Sequence, residues 1–484
     1  MYPTNLACHL DPLEQNVLEQ RGVFDLPDRS MCDTLVETFF NWVAPIVPII
    51  DRVEFQRHYQ DPKSPPSLLL LHAMFTVASR SHSRGSQETG VASPWEFYKK
   101  AKALYDAGYE RDPIPLIQST LLLSLYWEGP DDVTENGLFY WSRLSIALAQ
   151  AHGLHLRERI SSYNLSTQRL LRRVWWALYV RDRAVAAAFG RPTHIDLDDC
   201  TVGSLALQDF RREFDCPDYS RSDADEDALF FIEYVNLWRV LEKIPSQVDS
   251  SVSALEGQIR HTAQSLHAWY TSCPSSIHWR PSCHEFLPSL LCSSYYAAIC
   301  SIHLQSISDL SEDSQISCLN AATMIVSVLE TLHSHGQLQY APTFVIWHAL
   351  LSYVSFKVRL SSQSPSLLYT FERGMETLIQ LLRELSSVWP IATPVMELLQ
   401  TATPNDRFSE VMKTARSRLQ QQANSGRILA AEWSRHAPIR RLMPKHIFLP
   451  RSRIIVRSMA SGVLHRPLYK GRKANPARDT VQSV

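Results

Sequence analysis

The sequence predicts an all-α fold, an irregular multi-helix array, and three observations support this class. Glycine accounts for only 15 of the 484 residues, well under its usual share of about 7%. Long runs rich in Leu and Ala place apolar residues three and four positions apart, which is the period of an amphipathic helix. Short polar loops separate these runs, so the chain favours helices packed on helices over a sheet-based architecture.

The first predicted helices follow a proline-punctuated start. Residues 1–30 are polar and weakly periodic, which predicts an irregular lead-in. Ser30 is a candidate N-cap for a helix over 32–42, and Pro45 and Pro48 end that helix. The next helices are predicted at 53–59, 68–78, 94–109, 114–129 and 137–154.

The strongest helix signal lies at 169–189, where apolar residues at three- and four-residue spacing form one face. Gly190 can take the positive φ of a helix C-terminus and Pro192 prevents continuation. These two residues predict that the helix ends near Phe189.

Asp182 is the unusual residue of this helix. It lies on or beside the apolar face among several arginines, where a carboxylate persists only when it is paired. A guanidinium can grip it through two parallel hydrogen bonds, so we expect a structural ion pair in preference to a catalytic carboxylate. We predict a structural hub in which two tryptophans and Tyr179 anchor neighbouring helices and the charged residues clamp the turn. The predicted hub residues are Arg173, Trp175, Trp176, Asp182 and Arg191.

The remainder of the chain divides into a helical part and a basic tail. An acidic stretch at 222–227 is interpreted as a solvated loop before a helix through 235–241. Further helices are predicted at 252–270, 285–309, 315–335, 341–361 and 366–387.

The net charge of −1 hides a strong asymmetry. From Val411 to the end, sixteen Lys and Arg stand against two Asp and Glu, which leaves about −15 for the first 410 residues. The predicted organisation is a lead-in at 1–30, a first helical domain at 31–245, its helical continuation at 246–405 and a basic, disordered tail at 406–484.

Cysteine usage and hydropathy point to an intracellular protein. The nine cysteines contain no Cys-x-x-Cys pair, which excludes a recognisable zinc finger or redox motif and gives no disulfide framework. The N-terminus has no secretory signal pattern, and no run reaches the roughly 18 apolar residues that span a bilayer. We therefore expect no membrane partner.

Two polar clusters admit a metal-binding interpretation. His152 and His155 have a spacing at which two imidazoles can share a metal, but the glycine between them favours a helix-ending turn. Asp196, Asp198 and Asp199 could hold a cation. Asp residues ahead of a new element more often cap backbone N–H groups, and we favour that role.

Two further acidic sets lie at Asp131, Asp132 and Glu135 and at Asn405, Asp406 and Ser409. Together they resemble the two magnesium–diphosphate motifs of class I terpene synthases, which are also all-α. Lys413 stands where a metal-binding glutamate is required, so this enzyme class is kept only as a remote alternative. No GxSxG, HExxH, GxxxxGK or GxGxxG pattern occurs. We therefore predict no catalytic residue, cofactor or metal site.

Two basic clusters stand in the tail. They are Arg440 with Arg441, and Lys470 with Arg472 and Lys473. Such clusters bind the acidic grooves of nuclear-import receptors or phosphate groups. The alternative is a solvated segment with no specific partner, and both interpretations stay open.

Six segments occur in order between residues 33 and 240: FFNWVAPIVPIIDRVEF, SLLLLHAMFTVASRS, FYKKAKALYD, STLLLSLYW, GLFYWSRLSIALAQAHGLHL and RRVWWALYVRDRAVAAAFGRPTHIDLDDC. Their order and spacing resemble the fungal-specific transcription factor domain, the helical middle homology region of fungal binuclear zinc-cluster regulators, and within it the cutinase-activator type. The resemblance implies a nuclear, non-enzymatic regulator of RNA polymerase II transcription of metabolic genes. The implied partners are the transcription machinery or related regulators, DNA, and a second chain in a homo- or heterodimer.

Members of that family carry six cysteines that hold two zinc ions, followed by a basic linker that reads DNA. Only Cys8 and Cys32 precede the helical domain here, so we expect a regulatory domain without its own zinc cluster. Two functions follow from the resemblance. The chain is a transcription regulator that acts through its helical domain, or a co-regulator that heterodimerises with a full-length zinc-cluster factor.

Overall fold

The computed structural model of the chain describes residues 10–85, 93–126, 137–189, 192–211, 221–242, 252–282, 284–304, 312–357 and 365–401. The regular elements in these ranges are helices with no β-strand among them, which confirms the predicted all-α class. The α-helices described are, in chain order, α1 (Pro12–Gln20), α2 (Arg29–Thr38), α3 (Arg52–Gln60), α4 (Leu68–Ala78), α5 (Pro94–Asp106), α6 (Pro113–Ser124), α7 (Leu138–Ala151), α8 (Arg157–Ile160), α9 (Leu165–Phe189), α10 (Arg221–Glu242), α11 (Val252–Ser272), α12 (Phe286–His303), α13 (Glu312–Ser334), α14 (Phe344–Lys357), α15 (Pro365–Leu385) and α16 (Ala392–Thr401).

Helix boundaries follow the apolar periodicity closely where the periodicity is strong. α4 spans the predicted residues 68–78 and is buried along its whole length, because α2, α5 and α6 pack against it. α9 ends at Phe189 as predicted, although it begins at Leu165, earlier than the periodicity indicates. The predicted N-cap at Ser30 is wrong, since the N-cap is Asp28, two residues earlier, whose side chain accepts the N–H of Met31.

The interpretation of 1–30 as irregular is wrong in part. The Asp11 side chain accepts the backbone N–H of Glu14 at 2.8 Å and caps α1, which has a proline at its start. Leu18 and Val23 are 1% and 0% exposed, so this segment belongs to the core. Two other segments also differ from prediction: α16 is an additional helix, and the acidic stretch at 222–227 lies within α10.

α2 continues into a wider helical turn at Phe39–Val43. The N–H of Ala44 donates to the carbonyl of Phe39, five residues earlier, at 2.9 Å, which makes this a π-helical turn. Trp42 in this turn stacks on Tyr340, with ring centroids 3.9 Å apart, and meets the edge of Phe286 at 5.0 Å. The π turn thereby joins the N-terminal helices to elements far along the chain.

One large hydrophobic core runs through the described residues, beside a small separate cluster of Leu138, Phe139 and Val185. α12 packs on α13 and α14, and the large core also includes Leu122 of α6 and Trp175 of α9. Helices from both sides of the predicted boundary at 245 therefore share this core. The four-part division of the chain itself stays a prediction.

Among the described helices, α13 has the length and apolar composition needed to cross a bilayer. Half of the residues in its most apolar window are buried inside the protein, and α12, α14 and α15 pack against it. Packing in the core accounts for this hydropathy.

Candidate functional site

α9 supplies five charged residues to the centre of the molecule. The side chain of Asn164 accepts the N–H of Thr167 at 2.8 Å and begins the helix, and an alanine-rich stretch at 184–188 continues it to its end. Apart from Arg169 near its start, the charged residues of α9 are Arg172, Arg173, Arg181, Asp182 and Arg183. Each of them has different partners, and these partners decide what the site can do.

Asp182 is 3% exposed, and both of its carboxylate oxygens are engaged. Oδ2 accepts from Arg183 Nη1 at 2.9 Å and from the backbone N–H groups of His194 and Ile195 at 2.8 and 2.9 Å. Oδ1 lies 3.1 Å from His194 Nδ1. The ion pair predicted for Asp182 is therefore present, and its donors suit a carboxylate that stays ionised inside a protein.

Arg183 links Asp182 to Glu242 at the end of α10. Its Nη2 donates to the carbonyl of Ile195 at 2.6 Å and also to Glu242 Oε1. The Tyr179 hydroxyl donates to Glu242 Oε2 at 2.6 Å. Burial, and then the hydrogen bond to Glu242, raises the pKa of Tyr179 above its ordinary value, so the phenol stays a donor. These contacts, which we call the Asp182 clamp, fasten α9 to the following turn and to α10.

The expectation that Arg173 belongs to the Asp182 clamp is wrong. Nine residues separate it from Asp182, which is about two and a half helical turns, so the two side chains leave opposite sides of α9. Arg173 Nη2 lies 3.8 Å from Asp51 Oδ2, and its guanidinium lies over the ring of Phe210 at 5.7 Å. Arg173 therefore fastens α9 to the start of α3, where Asp51 is the N-cap.

Trp175 and Trp176 are both buried, where anchoring residues are expected. The ring of Trp175 lies 5.8 Å from the ring of His155. Trp176 Nε1 donates to the carbonyl of Gly203 at 3.0 Å, and the guanidinium of Arg239 lies over its ring. The two rings hold α9 against the end of α7, the segment after α9, and α10.

Arg172 and Asp209 form an ion pair that the sequence analysis missed. Asp209 is 2% exposed and accepts from Arg172 Nε at 2.8 Å and from Nη2 at 2.5 Å. The backbone N–H of Ala206 donates to its other oxygen at 3.0 Å. The available signal was the apolar setting of Asp209 between Leu207 and Phe210, since a carboxylate among apolar neighbours needs a partner.

The two candidate metal clusters have local roles. His152 is exposed at the end of α7, and Gly153 takes a φ of +73°, which is the helix-ending turn that we favoured. The Nδ1 atom of His155 is buried without a partner. Asp196 Oδ1 accepts the N–H of Asp198 at 3.0 Å, which is the capping role. No group of three metal-ligating side chains occurs within the described ranges.

Cys32 is a core thiol. It is 4% exposed, and its Sγ donates to the carbonyl of Pro27 at 3.4 Å. Burial, followed by the charge of Asp33, raises the pKa of the Cys32 thiol to about 11. Zinc is bound by thiolates, so the surroundings of Cys32 suit a structural role and not that of a metal ligand.

Several predicted site residues lie outside the described residues, and those predictions remain untested. They are Cys8, Arg191, the acidic set Asp131, Asp132 and Glu135, the set Asn405, Asp406 and Ser409, and the basic residues Arg440, Arg441, Lys470, Arg472 and Lys473.

Two adjoining cavities open beside α9. Cavity A, of about 970 Å³ including its mouth, lies between the π turn, α4, α9 and residues 339–344. Cavity B, of about 1530 Å³ including its mouth, lies between α9, α10, α12 and α14. The residues that border both cavities are Leu125, Arg181, Ala184, Tyr234, Thr343 and Phe344.

Arg181 is the charged residue common to the two cavities. Its Nε donates to Ser124 Oγ at 3.1 Å, and its Nη2 donates to the carbonyl of Ser124. Burial lowers the pKa of the Arg181 guanidinium to about 10, which leaves it charged at neutral pH. In the sequence Arg181 is notable only as a neighbour of Asp182, and its place in a cavity wall could not be inferred.

Comparison with known proteins gives a consistent set of relatives. A family model described as the fungal specific transcription factor domain matches residues 36–278. The chain is 37% identical over 429 residues to cutinase transcription factor 1 alpha of Fusarium vanettenii, covering 84% of this chain and 46% of that protein. It is 26% identical over 404 residues to the acetamidase regulatory protein of Aspergillus fumigatus, covering 81% and 51%. It is 25% identical over 301 residues to a fusaric acid cluster transcription factor of Gibberella fujikuroi, covering 58% and 42%.

The chain thus spans about half the length of the curated relatives that it matches. No solved structure matches it.

Proposed function

Since this chain belongs to the fungal specific transcription factor domain family, we propose that it is a fungal transcription regulator that acts through its helical domain. The observation that carries the proposal is the 37% identity to a cutinase transcription factor over 84% of this chain. That match extends well beyond the family model, so the C-terminal helices belong to the same unit of similarity. Function is transferred here from named relatives, and no catalytic activity is proposed.

The proposed place of action is the nucleus, where the chain controls RNA polymerase II transcription of metabolic genes. Its proposed partners are the transcription machinery or related regulators, with which it forms a homo- or heterodimer. We assign nuclear import to the basic residues Arg440, Arg441, Lys470, Arg472 and Lys473, because short cationic clusters fit the acidic grooves of import receptors.

A tethering experiment tests the regulatory function directly. The full chain is fused to an unrelated DNA-binding module and expressed in a fungus that carries a polymerase II reporter with the module's site. The fusion should change reporter output relative to the module alone. A reporter that lacks the site is the control for indirect effects, and unchanged output in a fusion that accumulates in the nucleus would contradict the proposal.

A gel-shift experiment with purified protein then assigns the DNA contact. Binding to a promoter fragment by this chain alone would place DNA recognition within it. Binding that requires a related zinc-cluster factor would place recognition in the partner and give this chain the co-regulator role.

A further inference from the structure

The walls of cavities A and B combine large apolar surfaces with cationic groups. Arg80 borders cavity A and Arg181 borders both, and no Asp or Glu occurs among the described residues that line either cavity. His348 borders cavity B, and burial lowers its pKa to about 3, so its ring is neutral near pH 7. The charged wall groups are therefore cations surrounded by hydrocarbon, a setting that disfavours cationic ligands and favours an anion.

Arg80 already has partners inside the wall. Its Nη2 donates to the carbonyl of Leu125 at 2.7 Å, and its guanidinium lies 3.7 Å from the ring centroid of Trp389. Trp389 in turn donates from Nε1 to the carbonyl of Ala341. Arg80 thus serves chiefly to brace the wall of cavity A.

Arg181 differs from three of the other four arginines of α9, and the fourth, Arg169, donates to the carbonyl of Arg211 and borders neither cavity. Arg172, Arg173 and Arg183 each lie beside a carboxylate, whereas Arg181 has a carbonyl and a hydroxyl of Ser124 as its acceptors. A guanidinium has five N–H donors, and neither N–H of Arg181 Nη1 meets an acceptor within the described part of the chain. Arg181 therefore brings an uncompensated charge and unused donors to two apolar cavities.

We propose that cavities A and B form a binding site for an apolar monocarboxylic acid, and that the ligand's carboxylate pairs with Arg181 at the wall between them. A carboxylate matches the planar fork of a guanidinium through two parallel hydrogen bonds. A single negative charge on the ligand would balance the charge of Arg181, while the hydrocarbon body fills the apolar space on either side.

Tyr234 supplies a second donor beside Arg181. It borders both cavities, and burial raises the pKa of its phenol to about 12, so the O–H group is retained at neutral pH. Its ring lies between Phe230 and Phe344, with centroids at 5.7 and 5.6 Å, which holds the phenol in place.

The test is calorimetric binding to the purified full chain with octanoate, dodecanoate and 2-naphthoate, each paired with its alcohol. Saturable binding of at least one acid, tighter than binding of the matching alcohol, is expected. Arg181→Met should weaken that acid by about tenfold or more and leave the alcohol unchanged, because one charge-assisted contact is lost. Arg181→Lys should fall between the two, since lysine keeps the charge without the fork.

Two further variants keep the test decisive. Arg143→Met removes an exposed arginine from α7 and should leave acid binding unchanged. Ala184→Phe fills space that borders both cavities with Arg181 intact, and it should abolish acid binding in a chain whose circular dichroism is unchanged. Failure of all three acids to bind, or equal acid affinity in wild type and Arg181→Met, would overturn the proposal. Binding is measured without transcription, so either result leaves the tethering experiment to judge the regulatory function separately.

Discussion

Asp182 is an ionised group in the core that is stabilised by donors from two parts of the chain, Arg183 of α9 and the turn at His194 and Ile195. Removing its carboxylate leaves Arg183 and the N–H groups of His194 and Ile195 buried without their acceptor. We expect Asp182→Ala to lower the free energy of unfolding by about 3–5 kcal/mol, as for other buried pairs that lose one partner. Urea titration followed by circular dichroism measures this change.

The matched control for Asp182→Ala is Asp198→Ala, which removes an exposed carboxylate from the following turn. That control should stay within about 0.5 kcal/mol of wild type. Equal urea midpoints for wild type and Asp182→Ala would show that the Asp182 clamp does not support the fold.

His72 gives the molecule a defined response to acid. Its ring is buried, Nε2 lies 2.7 Å from the carbonyl of Val23, and Nδ1 has no partner. Burial lowers the pKa of His72 to about 4, compared with about 6.5 in an unfolded chain. Between these values the unfolded chain binds a proton that the folded chain does not. The contribution of His72 to stability is therefore complete above about pH 6.5 and is lost as the pH falls towards 4.

His72→Gln should remove that contribution while its amide can still donate to Val23. We expect the drop in unfolding free energy between about pH 7 and about pH 5 to shrink by up to about 1.4 kcal/mol per pH unit for the one proton. Denaturant titrations at the two pH values measure this drop. His261→Gln, at an exposed position, should leave it unchanged, and an unaltered drop in His72→Gln would contradict the assignment.

Prediction at the residue scale succeeds where neighbours in sequence are neighbours in space. The pairing of Asp182 follows from its place on an apolar face beside arginines, and the adjacent Arg183 does pair with it. The partners of Arg172 and Arg183 lie 37 and 59 residues away, and no local pattern indicates them. Arg173 shows the opposite case. It is close to Asp182 in sequence, but it leaves the other side of the helix and does not join the Asp182 clamp.

At the scale of the elements, α1 shows how a short polar helix can belong to the core. Leu18 is 1% exposed, whereas its neighbour Val17 is 39% exposed. Leu18→Ala should therefore lower the free energy of unfolding by about 2–5 kcal/mol, and Val17→Ala by less than about 0.5 kcal/mol. Thermal melting and urea titration of the two variants provide the measurement. Equally small effects of both substitutions would show that α1 does not belong to the core.

The helices that could be predicted are those with a long apolar period. α4 and the end of α9 match their predictions because eleven or more residues repeat one pattern and clear stop signals follow. α1 and α16 have nine and ten residues, too few to be stable in isolation. Their stability depends on burying a few side chains, such as Leu18 and Leu399, against the rest of the fold.

At the scale of the whole molecule, Trp42 tests whether the two halves of the described chain act as one unit. It stacks on Tyr340 and contacts Phe286 across about 250 to 300 residues. Trp42→Ala should reduce the hydrogen-exchange protection of α14 and of the start of α12 as well as that of α2. Tyr369→Ala, at a 68% exposed position, is the control. Loss of protection confined to α2 would indicate that the halves unfold independently.

The sequence could reveal the family and the helical class, because both follow from ordered local patterns. The cavities could not be predicted, since their walls come from elements between residues 38 and 395 that meet only through long-range packing. The position of Arg181 between the two cavities is a consequence of that packing. Its lack of a carboxylate partner becomes apparent only when its surroundings are compared with those of Arg172, Arg173 and Arg183.

The π turn at Phe39–Val43 has a consequence for how this segment tolerates changes of length. Deleting one residue from a helix rotates everything beyond the deletion by about 100° relative to what precedes it. Val43, Ile46 and Val47 follow or close the turn and border cavity A, so a one-residue deletion there would turn a whole wall away while α2 stays in place. The segment should tolerate substitution by similar side chains better than deletion of one residue. What must be kept is the number of residues in the turn, because that number sets the direction in which the following side chains point.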